Sequence, residues 1–145
     1  MERKVNMKYK QVFLIWFLAD VFLALGVLAF CIYEQFNGGS TDDLPMFLGF
    51  VVYGTLVSLP SLCVMLLFHF VYSKTAKDIT QYRMPYIALI IFINILYLLI
   101  GEYGFGMTPE FNIFYLGSTA AGLLAFYFVD RKIKKKTVVV NDKTM

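Results

Sequence analysis

The chain is 145 residues long, 59% apolar and only 16% charged, against roughly 25% charged in an ordinary globular domain. Its charges fall in short stretches between long apolar runs, which excludes a soluble single domain. Fifteen Phe and ten Tyr suit rings solvated by lipid and by the membrane interface.

Four apolar segments follow one another, and each is predicted to be a transmembrane helix. They cover residues 12–33, 46–72, 85–101 and 111–129. About 20 apolar residues, range about 17–25, are needed to cross the hydrocarbon, so the third is barely long enough. The first continues to Tyr33 without a polar break and carries Asp20 inside it, which argues against a cleaved signal peptide. The expected fold is therefore an all-α membrane protein, a four-transmembrane-helix bundle with short loops, forming a single domain over residues 1–145.

Prolines mark the segment boundaries. Pro45, Pro85 and Pro109 stand where a first helical turn tolerates a missing N–H. Thr108, Pro109 and Glu110 read as an N-cap, a first-turn proline and an acid at the positive end of the fourth helix. Pro60 is different. It lies mid-segment, where it removes one backbone hydrogen bond and kinks the helix, with Ser58 and Ser61 placed to satisfy the freed group.

The 13 Lys and Arg residues lie before the first segment, between the second and third, or after the fourth. The other two loops hold Glu34, Asp42, Asp43, Glu102 and Glu110 instead. The positive-inside rule then predicts an N-in/C-in topology, which an even number of spans satisfies. The tail, residues 130–145, carries Arg131, Lys132, Lys134, Lys135 and Lys136. Directly after a span, it reads as a topology anchor held to anionic lipid, at about 1 kcal/mol per basic residue.

Enzymatic signatures are scarce. His69 has no neighbouring acid and reads as an interfacial residue. No carboxylate pair lies within the apolar segments, no nucleophile elbow or metal-ligand spacing occurs, and Gly104 and Gly106 form only a fragment of a phosphate loop. Cys31 and Cys63 lie at different depths and read as packing residues. The chain is expected not to be an enzyme and to use no metal, no cofactor and no nucleic acid.

Asp20 is the strongest functional candidate, because a charge at the bilayer centre costs at least about 2.5–3.5 kcal/mol. It lies roughly 12 Å into its segment at about 1.5 Å per residue. Equal depth on the other segments reaches Ser58 and Ser61, then Asn94, then Ser118 and Thr119. These residues form an expected intramembrane polar layer. It reads first as a hydrogen-bonded clamp between helices, and second as a proton- or ligand-responsive site. Small residues Gly117, Ala121, Gly122 and Ala125 repeat at four-residue spacing and predict close helix packing.

Two functions are compatible with these features. One is a small non-catalytic membrane protein acting through lateral helix contacts, as an accessory, regulatory or immunity-type subunit with a membrane-protein partner or as a homo-oligomer. The other is a small oligomeric transporter, flippase or channel in which Asp20 titrates. A plasma (inner) membrane location is expected for either.

Overall fold

A computed structural model describes residues 7–38, 43–75, 82–104 and 112–142. The chain is all-helical there, with no strand among the described residues. It contains α1 (Tyr9–Phe36), α2 (Asp43–Thr75), α3 (Arg83–Leu99) and α4 (Asn112–Asp142), and α3 runs on into a π turn over Ile100–Gly104. Helices are what this composition allows, since hydrocarbon leaves backbone N–H and C=O groups no partner outside the segment. Three helices are long and apolar enough to cross a membrane: Tyr9–Phe36, Gly54–Thr75 and Arg83–Gly104. The chain is therefore a multi-pass membrane protein.

Helix boundaries extend past the apolar segments. α1 begins at Tyr9, where the Gln11 carboxamide accepts the Lys8 backbone N–H at 2.5 Å. It ends where Asn37 Nδ2 donates to the Tyr33 carbonyl and Gly38 takes a φ of +90°, a conformation that suits glycine. The π turn lengthens the third crossing to 22 residues, so it is not marginal. Pro45 and Pro85 each occupy the third residue of their helix, within the first turn. The N-cap expected at Thr108, Pro109 and Glu110 lies outside the described residues. The basic stretch after the fourth segment is helical as far as it is described. Its backbone continues α4 to Asp142, and the straight-chain Lys and Arg residues of its first half lose little rotamer freedom in a helix.

α1 packs against both α4 and α2, and α3 packs against α4, whereas α2 and α3 meet through side chains without a backbone seam. Small residues set the α4 seams. Ala121 and Ala125 are buried, a Cβ on Gly117 would touch Leu23 of α1 at 3.8 Å, and one on Gly122 would come within 2.9 Å of Ile90 of α3. Cys31 is half-buried, but Cys63 is exposed and so does not serve packing within the chain.

The core is gathered at one end. Val12, Ile15 and Trp16 of α1, Met65 of α2, Tyr86 to Ile93 of α3 and Ala125 to Ile133 of α4 supply its buried residues. That end also holds the start of α1, the end of α2 and the start of α3, which together line one cleft, and Asp130 of α4 bonds to Tyr82 and Arg83 beside it. Toward the opposite end the helices pack more loosely, and most side chains of residues 23–36, 48–59 and 95–103 are half-buried or exposed. Asp20 lies where the tight half gives way to the loose half.

Candidate functional site: a cavity headed by Asp20

The site begins with the break in α2. Pro60 has no N–H to give to the helix ladder, and its ring crowds the preceding turn. Two neighbouring helices fill the disturbance. Tyr97 of α3 donates its hydroxyl to the Val57 carbonyl at 2.9 Å, and the Ser61 backbone N–H, the usual partner of that carbonyl, faces the same hydroxyl. The phenol is thus a wedge inside the α2 ladder. Trp16 of α1 donates its indole N–H to the Ser58 carbonyl at 3.1 Å, and Ser61 Oγ bonds the same carbonyl at 2.5 Å.

Asp20 enters the arrangement through Ser58, whose Oγ lies 2.8 Å from Asp20 Oδ2 and 2.9 Å from the Thr55 carbonyl. A hydroxyl has one hydrogen, so the two bonds describe alternative proton placements. Ionised Asp20 accepts the serine hydrogen. Protonated Asp20 donates to Ser58, whose own hydrogen then goes to Thr55. The same heavy-atom geometry serves both states of the acid. Oδ1 accepts no hydrogen bond from the described residues and is left to the space around it.

That space consists of two cavities meeting at Asp20. The inner one, about 210 Å³, is lined from all four helices and includes Trp16, Ser61, Asn94, Tyr97 and Ser118. The outer one, about 110 Å³, continues along α1 and α2 past Leu23, Val27, Val51 and Thr55. Toward the packed end the lining of the inner cavity includes Trp16, Met65 and Ile90, all buried.

The structure brings together most of the expected polar layer, though not as a continuous clamp. Asp20, Ser58, Ser61, Asn94 and Ser118 line the inner cavity, but only Asp20 and Ser58 bond to each other across helices. Asn94 Nδ2 bonds the Ile90 carbonyl and Thr119 Oγ1 bonds the Tyr115 carbonyl, each on its own helix. Thr119 does not line the cavity. A short hydroxyl one turn from its own carbonyl bonds locally first.

Trp16 and Tyr97 were not singled out by the sequence reasoning, although a mid-helix proline with long polar aromatics at similar depth on its neighbours is a usable signal. His69 is buried: its Nδ1 shares a hydrogen bond with the Tyr86 hydroxyl, and the Tyr9 ring sits edge-on with centroids 4.5 Å apart. A second unforeseen cluster ties α3 to α4. Asp130 accepts from Tyr82 at 2.6 Å and from Arg83 Nε at 3.0 Å. Burial, then the hydrogen bond and charge of Asp130, push the Tyr82 hydroxyl up to about 12, against a smaller opposing effect of Arg83. No protein-family model, curated protein or solved structure matches the chain.

Proposed function

We propose that this chain is a four-span protein of the plasma (inner) membrane, with both ends in the cytoplasm, that works by binding and not by catalysis. It is an accessory or regulatory subunit, and Asp20 receives a group brought by another molecule in the membrane plane. One observation carries this reading. Asp20 faces a cavity with a single bond, from Ser58, and every Lys and Arg of the chain lies outside the apolar segments. A carboxyl kept in hydrocarbon is costly unless something compensates it, and the helices of this chain bring it no cation.

A second reading, a small oligomeric transporter, flippase or channel with Asp20 as its titrating group, is favoured by the meeting of two cavities at Asp20. The Ser58 bond that suits both protonation states also supports it. Asp20→Asn separates the two. For a subunit, protein drawn from its native membrane in gentle detergent should lose a partner that the parent retains. For a transporter, vesicles containing purified protein should show solute-driven proton movement that the variant abolishes. A variant that changes neither property removes Asp20 from the function altogether.

A further inference from the structure

We infer that the Asp20 cavity is a receptor for a single ammonium group carried on a short apolar chain. This inference rests on the binding reading above and names the chemistry of what is bound.

The geometry discriminates among cations. A guanidinium binds a carboxylate best through both oxygens at once, but Ser58 holds Oδ2. Oδ1 remains, which suits a point-like donor. An ammonium has three hydrogens and no acceptor, so it also needs nearby oxygens. Asn94 gives its amide N–H to the Ile90 carbonyl, so its oxygen is the group that can accept, and Asn94 and Ser118 both line the cavity. The Trp16 and Tyr97 rings line the space, and aromatic faces attract a desolvated cation. A bare metal ion is poorly served, since no group of three or more His, Cys, Asp or Glu side chains gathers among the described residues.

The rest of the wall is apolar, with Ile15, Leu23, Val57, Met65, Ile90 and Ile93, so the cation must carry a hydrocarbon body. At about 210 Å³ the cavity is smaller than the roughly 300–1,000 Å³ that hold drug-sized ligands. A chain of a few carbons fits. It has two sources of identical chemistry, a free alkylamine or the lysine side chain of another membrane helix.

Trp16, the only tryptophan in the chain, lines the cavity and reports its occupancy. The test titrates n-hexylammonium into the purified full chain in zwitterionic nanodiscs at neutral pH and follows Trp16 fluorescence. A saturable change is expected, at least tenfold weaker with n-hexanol and at least tenfold weaker in Asp20→Asn. Asn94→Leu, which keeps the side chain's shape, replaces its carboxamide oxygen by a methyl and leaves the Asp20 carboxyl in place, should also weaken the response and covers the case in which Asp20→Asn does not fold. A transmembrane peptide with one central lysine then identifies the source. Displacement of hexylammonium by this peptide, and not by its leucine counterpart, assigns the ammonium to a partner helix; no displacement assigns it to a free amine. Equal binding of hexanol, or an unchanged response in Asn94→Leu, overturns the inference. A silent titration overturns it too, and if Asp20→Asn still sheds a native partner, the subunit reading stands without it.

Discussion

At the Asp130 carboxylate, two donors from the start of α3 meet one acceptor near the end of the apolar part of α4, and Tyr82 and Asp130 are buried while Arg83 keeps contact with solvent. A hydrogen bond to a charged group contributes about 1.5–3 kcal/mol when its partner would otherwise be stranded, so Tyr82→Phe should lower stability measurably at neutral pH. The pH dependence has a definite sign. The Tyr82 hydroxyl titrates near 10 when unfolded and is pushed up to about 12 in the fold. Its contribution is complete below about pH 10 and is lost as pH rises toward about 12. Thermal unfolding in detergent should therefore fall more steeply over that window for the parent than for Tyr82→Phe; parallel curves would remove the tyrosine from the lock. The small residues of α4 give a second contrast. Gly122→Ala drives a methyl to within 2.9 Å of buried Ile90, whereas Gly117→Ala meets Leu23 at an ordinary 3.8 Å. Overpacking costs about 1–3 kcal/mol, so the first variant should melt well below the parent and the second close to it.

At the scale of elements, the break in α2 joins three helices. A proline alone would weaken α2, but here it opens carbonyls that Tyr97 and Trp16 reach from either side. The wedge implies a coupling that can be measured. Hydrogen bonds between membrane helices average about 0.6 kcal/mol and reach about 1.7 kcal/mol, so Tyr97→Phe should destabilise by an amount in that range. Pro60→Ala restores the bond from residue 60 to the Leu56 carbonyl and removes the crowding that parts Ser61 from Val57, after which Tyr97→Phe should cost almost nothing. A double-mutant cycle in detergent reads this directly, and additive effects would mean that the hydroxyl and the proline act independently. Much of this element was legible in the sequence. Segment lengths, the mid-segment proline and the depth of Asp20 need only counting, and counting brought Ser58, Ser61, Asn94 and Ser118 to one cavity. Rotation about the helix axis is not a matter of counting. The facing of Tyr97 toward α2 and of His69 toward Tyr86 follows from how α3 seats beside α2. That seating depends on side-chain shape at the seams, which composition does not encode.

At the scale of the whole molecule, charge and packing are asymmetric in the same direction. The end with the buried core also holds Lys8, Lys10, Lys74, Arg83, Arg131 and Lys132, and the loosely packed end has no basic residue among those described. A membrane protein inserted by the positive-inside rule keeps its basic end in the cytoplasm, so the closed end of the Asp20 cavity should face inward and its looser end outward. This orientation decides from which side a ligand arrives, and it can be tested without knowing the ligand. In a background where Cys31 and Cys63 are replaced by serine, single substitutions Gly39→Cys, Thr108→Cys and Thr75→Cys report one loop each. Intact cells treated with a membrane-impermeant thiol reagent should label the first two, and Thr75→Cys should label only after the membrane is opened. The paired loops make the assay sensitive to the number of crossings as well as to direction. If Gly39→Cys labels from outside while Thr108→Cys does not, α3 or α4 fails to cross, and the inner cavity loses a wall. Labelling of Thr75→Cys in intact cells would place the basic end outside, against the charge distribution, and would turn the mouth of the Asp20 cavity toward the cytoplasm.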